Sequence, residues 1–243
     1  MQSLTTATAT GLGDPDVNTA ELAHVVTHEQ ESHSAASEPS TKVVSAIADL
    51  TAIFEPHISV LVLRRPLQGE LADDVRKVVS EPSFRGKEVI TPDARGRRVL
   101  AGILPDLPHL SKEVFLWVDV LAELTGCEFV GLRFLRMTAA MCPRFHVDNV
   151  TLRLVQTFDG PGTEYLANAD VDRRWMGTAA KGQSDAASGL IRSPDRVRQA
   201  DVGDIVLLKG EAWPDNEGRG AVHRSPAVSP CAPRLMMTLD PLD

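Results

Sequence analysis

After Gly126 the chain has no stretch with helical spacing. It consists of short, apolar, β-prone runs cut apart by Gly- and Pro-containing turns. The spacing predicts strands over Glu128 to Met137, Phe145 to Phe158, Thr163 to Leu166, Val202 to Gly210, Ala221 to Ser225 and Arg234 to Leu239. Asp159-Gly160-Pro161-Gly162 is a strong turn between two of them. Residues 168 to 190 are polar and rich in Gly, Ala and Ser, and form a long excursion. Short strands with frequent turns close most readily into a barrel or jelly roll.

The front half reads differently. A short helix is expected over Val43 to Phe54, a strand over Ile58 to Arg64 and a helix over Glu70 to Ser80. The prolines between 82 and 110 predict loop, with one short element around Val99 to Ile103. Ser111 to Thr125 is a helix by its apolar face, Val114, Trp117, Val118, Leu121 and Leu124, with Ser111 as N-cap and Gly126 as its stop. The fold expected is α+β with a mainly β core. Residues 42 to 127 form an α/β layer whose helices pack on one sheet, and residues 128 to 243 form the β core of the same domain.

Residues 1 to 41 carry six acids and no Lys or Arg. They are polar and are expected to be a disordered acidic tail. The formal charge of −8 therefore leaves only −2 on the rest. That is a poor surface for nucleic acid, which needs clustered Lys and Arg. No apolar run is long enough to span a bilayer, and the N-terminus lacks the basic and apolar segments of a secretory signal. Three cysteines without a CxxC pair do not make a disulfide scaffold, so a reducing cytoplasm is expected. His24 and His28 in the tail have helical ligand spacing, but no further ligands accompany them, and incidental histidines explain them better.

One constellation carries chemistry. His146 and Asp148 are two apart, so a strand aims both side chains one way. His223 lies on a later strand and is the natural third ligand. Two imidazoles and one carboxylate on one face of an ion leave positions open, the facial triad of non-haem Fe(II) oxygenases. Zinc could occupy the same donors. Arg234 follows on the next strand, and a fixed guanidinium beside an open metal suits a carboxylate such as the far end of 2-oxoglutarate. Tyr165 could line the pocket and hydrogen-bond a bound acid, although packing explains it better. Arg144 and Arg224 flank the ligands, facing either a charged substrate or solvent. Cys142 and Cys231 read as small core residues, or as extra ligands of a zinc site. Trp117 and Trp213 read as packing residues, and Trp175 falls in the excursion.

From about residue 128 to 240 the chain resembles the double-stranded β-helix core of Fe(II)/2-oxoglutarate-dependent dioxygenases. The resemblance rests on His146-Val147-Asp148, then Gly203-Asp204-Ile205-Val206-Leu207, then His223, then Arg234. It implies a jelly-roll, cupin-like barrel, iron on His146, Asp148 and His223, 2-oxoglutarate on Arg234, and oxidation of a small-molecule or protein substrate. That family commonly has Ser or Thr two residues after the Arg; here the residue is Met236, and Thr238 follows two further on. Over roughly residues 45 to 240 the chain is also similar to a bacterial family, domain of unknown function 1826. Cys142-Pro143-Arg144-Phe145-His146-Val147-Asp148, Gly160-Pro161-Gly162-Thr163-Glu164-Tyr165 and His223-Arg224-Ser225-Pro226 carry that second resemblance.

Overall fold

Alternation along the strands decides what packs where. In the computed structural model, which describes residues 39–81 and 83–242, the elements run as follows. β1 (Thr41–Val44) leads to a 3-10 helix (Ile47–Phe54), β2 (Val60–Leu63), α1 (Gly69–Val79), β3 (Arg85–Ile90), α2 (Ala94–Ile103), α3 (Pro108–Thr125) and β4 (Phe129–Met137). β5 (Leu152–Asp159), β6 (Glu164–Leu166), four short 3-10 helices (Asn168–Asp170, Arg173–Trp175, Gly177–Ala180 and Pro194–Arg196), β7 (Arg198–Gln199), β8 (Ile205–Lys209), β9 (Val222–Arg224) and β10 (Arg234–Leu242) follow. Among the described residues no helix is long and apolar enough to cross a membrane. The acidic tail, with His24, His28 and His33, lies almost wholly outside the described residues.

The strands form a seven-stranded sheet, ordered β1-β2-β8-β5-β10-β4-β3, and a three-stranded sheet, ordered β7-β6-β9. Among the described strands only the β1–β2 pair is parallel. One face of the large sheet presents Leu132, Phe134, Leu154, Ile205, Leu207, Leu235, Met237 and Leu239 to Trp117, Val114 and Leu121 of α3. The other face presents Val60, Val62, Val155, Val206, Leu208 and Met236, which cluster with Tyr165 of the small sheet. The large sheet is thus covered by helices on one side and by the small sheet on the other. This is a mixed fold dominated by β-structure.

Several expectations are corrected. The helix expected over Val43 to Phe54 is β1 followed by the 3-10 helix; β-branched Val43 and Val44 extend beside β2 instead. Between 82 and 110 stand both β3 and α2. β3 is an edge strand with mostly exposed, polar residues, so it lacks an apolar signal. α2 is capped by Asp93, whose carboxylate accepts from the backbone of Arg95 and Gly96. α3 starts three residues before Ser111, with Pro108 in its first turn, so Ser111 is no cap. It stops at Gly126, whose φ of 71° gives the left-handed C-cap. The strand expected over Phe145 to Phe158 is broken: His146 bridges the small sheet, residues 147–151 are irregular, and β5 belongs to the large sheet.

Candidate metal centre

That break builds the site. His146 and His223 exchange two backbone hydrogen bonds, N to O and O to N, each 3.0 Å. A hydrogen-bonded antiparallel pair puts both side chains on one face, and the ring centroids lie 4.5 Å apart. Asp148 follows where the chain leaves the small sheet for the large one. Its backbone is fixed from behind by the Glu211 N–H, which donates to the Asp148 carbonyl at 2.9 Å. Donor atoms of His146, Asp148 and His223 all lie within 4.8 Å of one another.

The hydrogen bonds set the histidine tautomers. His146 Nδ1 lies 2.9 Å from the Arg144 carbonyl, and His223 Nδ1 lies 3.0 Å from the Ala221 carbonyl. A carbonyl only accepts, so each Nδ1 carries a proton. Each Nε2 then faces Asp148: His146 at 3.5 Å from Oδ1 and His223 at 3.2 Å from Oδ2. With acceptors against both ring nitrogens, a neutral imidazole would oppose its Nε2 lone pair to a carboxylate. A proton or a metal cation between them removes the conflict. The donor set therefore fits a divalent metal, and the Nδ1–H···O=C bonds are the outer contacts that orient metal-binding histidines.

The protonation preferences follow the same geometry. Hydrogen bonding to Asp148 raises the His146 pKa, against the opposing effect of burial. Burial alone would push the Asp148 carboxyl up, yet hydrogen bonds from His146 and His223 and the charge of Arg153 hold it far below the usual carboxylate range. Arg153 on β5 pairs with Asp148 and also makes two bonds to Asp240, at 2.7 and 2.9 Å. It anchors the carboxylate to the large sheet.

A cavity opens beside the triad. His146, His223, Arg234, Met236 and Thr238 line it together with Cys142. Arg234, Met236 and Thr238 alternate along β10 and so share its inner face. Arg234 is 1 % exposed. Its Nη2 donates to the hydroxyls of Thr157 and Thr163, each at 2.7 Å. Among the described residues it has no carboxylate partner, and burial pushes its guanidinium down to about 10. Such a buried, charged fork without a counter-ion is costly unless an anion joins it. Thr238 Oγ1 is buried and unbonded in the same cavity wall.

The other candidates distribute unevenly. Tyr165 stands opposite His223 in the small sheet, buried against Val60, Val62 and Val206, and is not among the residues lining the cavity. Thr238 is four residues from Arg234, roughly 13 Å along the strand at the usual rise. The hydroxyls at the guanidinium instead come from Thr157 and Thr163, which the sequence reading did not single out. Arg153, Val155 and Thr157 alternate on β5, and that period was the available signal. Arg144 and Arg224 both bond Asp185, and Arg224 also bonds Glu164 at 2.6 Å, so neither is a free surface charge. Cys142 and Cys231 are not core residues: the first is half-buried at the cavity, the second exposed, and neither joins the donor group.

The model of the family described as protein of unknown function (DUF1826) matches residues 45–240. The chain belongs to the DUF1826 family. No curated protein matches the sequence. Among solved structures, this DUF1826 protein is similar to the rice dioxygenase for auxin oxidation, with 14 % identity, TM-score 0.49 and 83 % of each chain covered. The Arabidopsis thaliana dioxygenase for auxin oxidation 1, in a 2-oxoglutarate complex, shows 8 % identity and TM-score 0.49, with 83 % of this chain and 91 % of that one covered. A Pseudomonas putida prolyl-4-hydroxylase shows 14 % identity and TM-score 0.42, over 82 % of this chain and 94 % of that one. Similarity of that degree transfers no activity; the chemistry has to come from the site itself.

Proposed function

We propose that this DUF1826 protein is a cytoplasmic, non-haem Fe(II)/2-oxoglutarate-dependent oxygenase acting on a small-molecule or protein substrate. In this reading the two sheets are the walls of a double-stranded β-helix. His146, Asp148 and His223 hold the metal, and Arg234 binds the far carboxylate of the co-substrate. Iron would supply the redox chemistry that couples 2-oxoglutarate decarboxylation to oxidation of the substrate. The observation that carries the reading is the buried Arg234, without a carboxylate partner among the described residues, in the cavity that His146 and His223 also line.

The chain's own residues do the positioning. The Arg144 and Ala221 carbonyls hold the imidazoles with Nε2 toward the ion. Arg153 keeps Asp148 ionised and fixed. Thr157 and Thr163 restrain the Arg234 fork, so little side-chain entropy is lost when a carboxylate docks. Leu135, Val155 and Met236 make the cavity walls apolar, which strengthens that ion pair by excluding water. The test is uncoupled turnover of 2-oxoglutarate after anaerobic iron loading. Turnover lost in His223→Ala and in Arg234→Met supports the reading; absence of turnover and of binding in the wild type refutes it.

Cys142 lines the same cavity and favours a second reading, a zinc-binding or metal-handling protein without oxygenase activity. It predicts bound zinc that is lost on His146→Ala, and no 2-oxoglutarate binding; loss on Cys142→Ala as well would add the thiolate to the ligands.

A further inference from the structure

A second cavity, of about 550 Å³, lies at the end of β8. Its lining includes Phe54, Leu124, Lys209, Trp213, Asp215 and Arg219, none of which lines the cavity beside the triad. Its size is that of a small-molecule site. Alternation explains Lys209: Ile205, Leu207 and Lys209 share one face of β8, and the first two fill the helix-side core. At the third position the strand runs out of core, and a lysine stands where the pattern calls for an apolar residue.

Lys209 is 1 % exposed. Its ammonium donates to the Glu55 carbonyl at 2.9 Å and lies 4.9 Å from the centre of the Trp213 ring. Among the described residues no carboxylate reaches it within ion-pair distance. The Glu55 carboxylate is turned to Lys42, at 2.7 Å, and to His57. Burial and the nearby charge of Arg219 push the Lys209 amine below the ordinary lysine range, against the weaker opposing charge of Glu55. The guanidinium of Arg219, exposed at the rim, bonds only the Asp215 carbonyl of its own loop among the described residues, leaving further donors. Two cations therefore face one lining carboxylate, that of Asp215. Half-exposed Phe54 and partly buried Trp213 set their rings 5.6 Å apart, tilted by 50°, as an aromatic wall.

We propose that this cavity binds a small monoanion with a flat apolar body, such as an aromatic carboxylate. Arg219 takes the anionic group directly at the rim, Lys209 contributes its charge from the floor, and Phe54 and Trp213 hold the ring system. Nothing in this proposal depends on a metal at the triad. The site is not isolated from it, however: the loop 210–220 that carries Trp213 and Arg219 also braces Asp148 through Glu211 N–H and leads into Ala221 and His223.

The test is calorimetric titration of the full chain with 1-naphthoate, against the neutral 1-naphthalenemethanol. Saturable binding of naphthoate is expected, with the alcohol at least about tenfold weaker. Arg219→Gln, an exposed change that leaves the core intact, and Lys209→Met, which keeps the apolar stem, should each weaken naphthoate roughly tenfold. Arg234→Met should leave it unchanged. The proposal is overturned if naphthoate does not saturate, if Arg219→Gln binds as the wild type does, or if Arg234→Met abolishes binding and so places the ligand in the other cavity.

Discussion

His223 presents Nε2 to Asp148 at 3.2 Å and Nδ1 to the Ala221 carbonyl at 3.0 Å, so acceptors stand on both sides of one imidazole. His146 repeats the arrangement. The pair and the carboxylate between them are a pocket for positive charge. Hydrogen bonding to Asp148 favours a proton on His146, which a divalent ion would displace.

Metal and pH should therefore act in opposite senses. The folded pKa of His146 is raised above its ordinary 6.5, so in metal-free protein its contribution to stability is full below 6.5 and is lost as pH rises through the folded pKa. Asp148 is depressed below 3.8, so its contribution is full above 3.8 and lost in stronger acid. As pH rises above 6.5 the metal-free protein should become less stable, while metal affinity increases. Melting curves with and without metal at several pH values check this: the metal-induced shift should grow with pH, and the growth should shrink in His146→Gln.

Arg234→Met removes a buried charge without unpairing an acid. Stability should hold or rise, while affinity for 2-oxoglutarate falls by roughly ten- to a hundredfold, the loss of one or two charge-assisted bonds. Thermal melting and calorimetry on the same preparation separate the two effects.

Gly210 has no room for a side chain. A Cβ there would overlap the Val150 carbonyl and stand 2.9 Å from that of Asp148. Gly210→Ala should push Asp148 out of the donor group and weaken metal binding at least about tenfold, with a stability loss of a few kcal/mol. Gly218→Ala, in the same loop but with nothing within 4 Å, should lose stability through its φ of +70° while retaining metal affinity.

Cys142→Ser and Cys231→Ser should keep their metal content, since neither thiol joins the donor group. Elemental analysis of protein purified without added metal decides the point, with His223→Ala as the control that loses it.

The triad and Arg234 could be found in the sequence because strand alternation and strand order are local signals. The His-x-Asp spacing picks out both ligands, although the observed chain turns after His146 instead of continuing as a strand, and the Gly203-Asp204 turn announces β8. What lay hidden was tertiary. The break after His146 follows from its pairing with His223, a partner 77 residues away, and from the approach of Gly210; Asp148-Asn149, both disfavoured in strands, are its local sign. β3 was hidden because an edge strand buries little and needs few apolar residues. Thr157 and Thr163 were hidden because a hydroxyl gains a role only from the guanidinium beside it. Lys209 was overlooked within an apolar strand, although a charge at an inward position of β8 was itself a signal.

The most direct measurement is anaerobic titration of the iron-loaded protein with 2-oxoglutarate, followed by the visible charge-transfer absorbance of the iron–keto-acid chelate. The account predicts a band that saturates at one co-substrate per chain, is absent in His223→Ala, and needs far more 2-oxoglutarate in Arg234→Met. Stoichiometric iron with no such band, or a band that survives His223→Ala, would contradict it.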